Sequence, residues 1–418
     1  MVRRTSFAVI ALCCLASSAR AEDAAVARGH YLAQAGDCTA CHTTPGGAPF
    51  AGGLPIRTPF GNLVPNNITP DRDTGIGSWT TEQFVQAIRH GIGAHGEHLY
   101  AAMPFNDYVK VTDKDVRDIK AYLDTVMPVH RVVVSNQLPF PFDIRLSLIA
   151  WDLLYFSDSP FQPEAGKSAE WNRGAYLVQG LGHCAACHTP KTLLGGDRSD
   201  AYLQGSPIEG WYAPALDSDP RTGLGHWSVA DVVSYLKTGS NQHAVAAGPM
   251  AEAVADSTQY MSTNDLTAIA IYLKDLPAPA GVLTAALPTH QAQMVVGAAI
   301  FADNCAACHA ARGTGINGMV PALNSNPSLL STDSSSLLHV LLEGGKGAAT
   351  AGNPTGAGMP AFAWKLNDSE IAAVGTYVRN SWGNIATALS PAQVGKARAS
   401  LHAVPALSSS GILGSTGG

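Results

Sequence analysis

One five-residue pattern occurs three times in this chain: Cys38-Thr39-Ala40-Cys41-His42, Cys184-Ala185-Ala186-Cys187-His188 and Cys305-Ala306-Ala307-Cys308-His309. Each copy reads C-x-x-C-H. Two thiols three residues apart lie on one side of a helical turn. There each can form a thioether to one vinyl group of the same porphyrin, while the adjoining imidazole meets the iron. A single copy would equally suit half of a zinc site, or a redox dithiol followed by a chance histidine. Three copies, with no cysteine left over outside the N-terminal segment, point instead to three covalently bound haem c groups. Cys38, Cys41, Cys184, Cys187, Cys305 and Cys308 would attach them, and His42, His188 and His309 would be axial ligands.

The other two of the eight cysteines are Cys13 and Cys14. They lie in a stretch with Arg3 and Arg4, an apolar run from Phe7 to Leu15, and Ala19-Arg20-Ala21. This is the layout of a secretory signal over residues 1–21, cut before Glu22. The run is too short to span a bilayer. Export fits haem attachment, because a bacterial periplasm is oxidising. Losing three arginines makes a chain of net charge −6 still more acidic, which argues against a nucleic-acid partner. No later apolar run is long enough for a transmembrane helix.

Aligning the motifs exposes an internal repeat. A helical stretch with a glycine precedes each motif: Arg28-Gly29-His30-Tyr31-Leu32, Arg173-Gly174-Ala175-Tyr176-Leu177 and Gly297-Ala298-Ala299-Ile300-Phe301. A Gly/Pro/Asn-rich loop follows each motif. Then comes a middle helix, starting at Thr80, Ser228 or about Ser334 and stopping at Gly91, Gly239 or Gly344. A closing helix ends each repeat, with Tyr122, Tyr272 or Tyr377 at the same place on an apolar face. The glycine would let the closing helix cross the opening one closely.

Between the middle and closing helices each repeat places a methionine beside a proline: Met103, Met250 and Met359. Met103 and Met250 stand at the same distance from their first motif cysteine, to within one residue. A sulfur held by a rigid neighbour suits the sixth position of the iron, and His/Met ligation raises its potential. Met261, just before the second closing helix, competes with Met250, and His95 and His98 compete with Met103. The expected fold is all-α, three tandem class I cytochrome c domains. They would cover 22–127, 171–276 and 294–384, joined by an apolar linker at 128–170 and a Pro/Ala-rich one at 277–293. The Ser/Gly-rich end predicts a disordered tail from 385 to 418. Within the first linker, Ile144 to Phe156 reads as a short apolar helix, either a strap between domains or a face for a bilayer or a partner. Gly313-Thr314-Gly315-Ile316-Asn317-Gly318 matches a dinucleotide fingerprint but lacks the strand before it. No acid–base or nucleophilic constellation stands out, so no catalytic residue is assigned.

Longer phrases now mark a family. Gly36-Asp37-Cys38-Thr39-Ala40-Cys41-His42-Thr43, Ala51-Gly52-Gly53-Leu54, Asn67-Ile68-Thr69-Pro70-Asp71, Ala102-Met103-Pro104, Gly248-Pro249-Met250 and Ser381-Trp382-Gly383-Asn384 run through the chain in order. The chain resembles the three-haem cytochrome c subunit of membrane-bound, quinone-linked bacterial dehydrogenases acting on alcohols, gluconate, sorbitol, fructose or aldehydes. The resemblance implies a non-catalytic electron-transfer subunit. A separate catalytic subunit with pyrroloquinoline quinone or FAD would oxidise the substrate, with room for a small third subunit. Ubiquinone would be the acceptor, and the chain would sit in the periplasm on the outer face of the inner membrane. The competing class is a free-standing periplasmic multihaem carrier with no dehydrogenase partner. The tail lacks the amphipathic helix that anchors some members.

Overall fold

The structure is a computed structural model that describes residues 22–134, 136–279, 285–324 and 326–402. The expected signal at 1–21 and the last residues, 403–418, lie outside the described residues. Helices dominate, and the strands named among the described residues form three two-stranded pairs. The described residues form two compact units. One holds the residues up to Gln162 together with Gly180–His183; the other holds Pro163–Gln179 and the chain from Cys184 onward.

In the first unit an opening helix over residues 22–35 leads into the motif helix Cys38–His42. The loop beyond it carries the hairpin Ile56–Thr58 and Gly61–Leu63. The middle helix Thr81–His90 begins with a capping box, in which Thr80 Oγ1 accepts the Gln83 N–H and the Gln83 side chain accepts the Thr80 N–H. It stops at Gly91 in the left-handed region, where glycine carries no steric penalty. The closing helix Asp113–Leu123 is capped by Thr112 and buries Val116, Ile119 and Leu123. The apolar linker helix is Ser147–Tyr155. Its inner side packs on the loop that carries Met103. Phe105 meets Trp151 and Phe156 edge-on, Tyr100 donates to the Phe142 carbonyl at 3.0 Å, and Arg145 donates to the His98 carbonyl at 2.8 Å.

The second unit holds the remaining two repeats except for Gly180–His183. In the second repeat the opening helix Ala169–Tyr176 continues as a wider turn over Leu177–Leu181. The motif helix Ala185–His188, the hairpin Ser206–Ile208/Trp211–Ala213, the middle helix Val229–Thr238 and the closing helix Thr263–Lys274 follow in order. The third repeat runs Ala292–Asn304, Ala306–His309, Ser335–Glu343 and Asp368–Arg379. Its methionine lies on a short strand, Gly358–Met359, paired with Gly345–Lys346.

Opening and closing helices cross at the repeated glycine in all three repeats. A β-carbon on Gly29 would lie 1.8 Å from the Asp118 carbonyl oxygen, one on Gly174 1.9 Å from that of Ala268, and one on Gly297 2.2 Å from that of Ala373. Tyr122, Tyr272 and Tyr377 flank the same crossings through their β-carbons. In the first two repeats the arginine before the glycine also holds the closing helix, Arg28 pairing with Asp115 and Arg173 with Asp265. Val296 takes that place in the third repeat.

Another segment does for the third repeat what that arginine does elsewhere. The expectation of a disordered tail from residue 385 does not hold for residues 385–402. A helix, Pro391–His402, packs on the closing helix of the third repeat and buries Val394 completely. Arg398 donates to Asp368 and to the carbonyls of Ala363 and Leu366 at 2.8–2.9 Å. Leu389 and Val394 join the core formed by Phe301, Leu342, Ile371 and Val374. The helix has few strongly apolar residues, so the sequence carried little sign of it beside the Ser/Gly-rich end.

Candidate haem sites

Each motif winds into one short helical turn that ends on its histidine. The histidines have the same partner in every repeat. His42 Nδ1 lies 2.7 Å from the Asn66 carbonyl oxygen, His188 Nδ1 2.7 Å from that of Pro214, and His309 Nδ1 3.2 Å from that of Pro321. A carbonyl can only accept, so Nδ1 carries the proton and Nε2 keeps its lone pair. Burial lowers the pKa of all three imidazoles, which favours the neutral, ligating form. These carbonyl partners are absent from the sequence-derived site. The signal for them was a proline in each loop, Pro65, Pro214 or Pro321, at the acceptor or beside it.

The environments of Cys38 and Cys305 favour neutral sulfur. Burial, helped by Asp37 and Cys41, pushes the Cys38 thiol up to about 12, and burial pushes Cys305 up to about 11. A thioether carries no charge and suits these surroundings. Among the described residues no group of three or more His, Cys, Asp or Glu side chains is placed to hold a metal ion. The motif residues therefore fit a covalent haem, and no described His, Cys, Asp or Glu side chain completes any of them into a three-ligand metal site.

All three methionines are half-buried. Met103 lies in the loop before the helix Phe105–Tyr108. Met250 sits in the first turn of the helix Pro249–Asp256, where proline at the first position is well tolerated. Its side chain packs with Ala246, Val254 and Ala348. Met359 packs against the third repeat's core. Two of the competitors are otherwise engaged. Met261 is a buried packing residue whose carbonyl accepts from Lys237 Nζ at 2.9 Å. His98 Nδ1 lies 2.5 Å from Asp152 Oδ2.

Comparison with known proteins places this arrangement. A model for cytochrome c matches residues 294–382, and one for subunit III of cbb3-type cytochrome c oxidase matches residues 24–123. The chain is 42% identical over 388 residues to the gluconate 2-dehydrogenase cytochrome c subunit of Pantoea cypripedii, covering 88% of each chain. It is 40% identical to the cytochrome c subunit of the quinone alcohol dehydrogenase of Gluconobacter oxydans, over 87% of this chain and 80% of the relative. It is 39% identical to the fructose dehydrogenase cytochrome subunit of Gluconobacter japonicus, over 93% and 85%. With matches of this length, and with motifs whose residues fit covalent haem c, the chain belongs to the family of electron-transfer cytochrome c subunits of gluconate, alcohol and fructose dehydrogenases.

Proposed function

We propose that this chain carries three haem c groups, one in each of three tandem class I cytochrome c domains, and passes electrons from a dehydrogenase catalytic subunit to ubiquinone. The observation that carries the count is the threefold recurrence of one arrangement: a motif histidine oriented by a loop carbonyl, with a half-buried methionine later in the same repeat. When bound, each haem supplies an iron that takes up and returns one electron.

The chain's own residues do the rest. Cys38 and Cys41, Cys184 and Cys187, and Cys305 and Cys308 would hold the porphyrins through thioethers. The carbonyls of Asn66, Pro214 and Pro321 orient His42, His188 and His309 and raise the basicity of Nε2. Met103, Met250 and Met359 would supply the sixth ligand. A sulfur at that position in every repeat leaves no vacancy for a substrate, which suits electron transfer better than bond-making. In the second repeat the buried Trp227 Nε1 has no hydrogen-bond partner among the described residues. A haem propionate would satisfy that donor.

The relatives are subunits of dehydrogenases, which does not favour a free-standing carrier. Pyrroloquinoline quinone or FAD would belong to the catalytic subunit, and a small third subunit can accompany it. The chain would lie in the periplasm, on the outer face of the inner membrane. No helix among the described residues is long and apolar enough to cross a membrane. The apolar linker offers a docking face for the catalytic subunit or the membrane surface, since Phe140 is 79% exposed, Leu146 73% and Leu153 83%.

The test is to purify the chain alone and with its dehydrogenase, then supply substrate and a soluble ubiquinone analogue. Quinone reduction is expected only from the complex. Substrate oxidation by the isolated chain, or undiminished quinone reduction by the dehydrogenase without it, would overturn the proposal. The intact mass of the denatured mature chain should include three haems.

A further inference from the structure

The segments that carry the methionines of the second and third repeats are joined to each other. Ala247, three residues before Met250, forms an antiparallel bridge with Gly347, in the segment that returns to Met359. The Gly347 N–H donates to the Ala357 carbonyl at 2.8 Å, and Gly345 pairs with Met359 itself. Ala348 of the third repeat is buried in the cluster that contains Ala246, Val254 and Met250 of the second. It leaves so little room that a β-carbon on Gly239 would lie 2.7 Å from the Ala348 β-carbon. Thr350 Oγ1 donates to the Thr238 carbonyl at 3.1 Å, closing the same seam.

One side chain braces this seam from beneath. A β-carbon on Gly248 would lie 2.4 Å from Cε2 of Trp211, so the backbone two residues before Met250 rests on the indole. Trp211 in turn stacks on His339, from the third repeat's middle helix, with ring centroids 4.0 Å apart and 26° between planes. The Trp211 hairpin is held to that helix by Ser336 Oγ, which accepts the Tyr212 N–H at 2.8 Å and donates to the Tyr212 carbonyl at 3.0 Å.

We infer that Trp211 is a positioning residue: with His339 and the Ala247–Gly347 bridge it ties the Met250 and Met359 segments into one piece, so that the two sulfurs are held, and released, together. The physical reason is that a methionine sulfur binds iron only while the backbone that carries it stays in place. The Gly248 backbone cannot move without losing its contact with the ring, and Ala247 cannot move without breaking the bridge to the other segment. The inference rests on the reading of Met250 and Met359 as sixth ligands.

The experiment uses the full haem-loaded chain. The sulfur-to-iron charge-transfer band and the midpoint potentials are followed in wild type, Trp211→Leu, Trp211→Phe and His339→Gln as denaturant is raised. Met250→Leu and Met359→Leu identify which wave belongs to which repeat. In wild type the two bands should be lost at one denaturant concentration. Trp211→Leu should raise the released fraction of both by roughly tenfold, the scale of one aromatic contact, and lower both potentials. The wave of the first repeat should not move. Trp211→Phe should keep most of the wild-type behaviour, and His339→Gln should give a smaller version of the loss if Trp211→Leu does not fold. Separate loss of the two bands in wild type, or unchanged potentials in Trp211→Leu and His339→Gln, would overturn the inference. A full set of bands in Met250→Leu would instead overturn the ligand assignment beneath it.

Discussion

Gly174 and Ala268 touch backbone to backbone: the space where a β-carbon on Gly174 would stand is 1.9 Å from the Ala268 carbonyl oxygen. Alanine in a helix interior is ordinarily favoured over glycine by about 0.5–1 kcal/mol. Here the sign reverses, because the added carbon must push the closing helix Thr263–Lys274 away from the opening one. Gly174→Ala should destabilise the second unit by about 1–3 kcal/mol, the usual scale of overpacking. Thermal unfolding followed by circular dichroism checks it. An unchanged or raised melting temperature would mean that the helices can separate at no cost.

Met250 and Met261 are separable by substitution. Met250→Leu should abolish one sulfur-to-iron band and lower one midpoint potential, with little change in helicity. Met261→Leu should keep every band. The swap is close to volume-conserving at a buried packing position, so it should cost less than about 1.5 kcal/mol. Visible spectroscopy of the two variants decides between them, and the opposite pattern would exchange the roles.

Asp217 gives a pH signature. Its carboxyl lies above the usual aspartate range because burial disfavours the charge. The Asp219 N–H, donated to Oδ1, offsets this in part, and the Asp219 charge adds to the rise. A pKa raised on folding means that this group's stabilisation is complete below the unfolded value, about 3.9. It is lost as pH rises through the higher folded value, so the ionised group is a cost at neutral pH. Asp217→Asn keeps an oxygen to accept the Asp219 N–H and removes the charge. The variant should melt higher than wild type at pH 7, with the gain vanishing near pH 4. Calorimetry at the two pH values measures it, and equal differences at both would refute the assignment.

The C-terminal helix should be part of the third repeat's core. Ending the chain after Ser390 removes Val394 and the three interactions of Arg398. Burial of one valine alone is worth about 1.5–3 kcal/mol. The truncated chain should therefore lose at least about 2 kcal/mol in the transition that reports the third repeat, while the first unit melts as before. Hydrogen exchange along Asp368–Arg379 localises the effect, and protection equal to wild type there would exclude it.

The linear order of residues determined what depends on local chemistry. The three C-x-x-C-H motifs needed only their spacing. The capping boxes at Thr80/Gln83 and Asn367/Glu370 close within one turn, so four neighbouring residues specify them. The close helix crossings were legible as well, because a glycine at one helical position in three repeats has few other uses. Tertiary structure decided what depends on carbonyls and on distant partners. The acceptors for His42, His188 and His309 are backbone oxygens, and every residue type has one, so side-chain identity cannot announce them. The helix Pro391–His402 has few strongly apolar residues, and it becomes a core element only when the third repeat offers a surface for Val394 and a carboxylate for Arg398. The seam between the Met250 and Met359 segments pairs Ala247 with Gly347, about a hundred positions apart and outside any named helix or strand. It carries no periodicity, because packing around Trp211 and Ala348, and not any local pattern, brings those backbones into register.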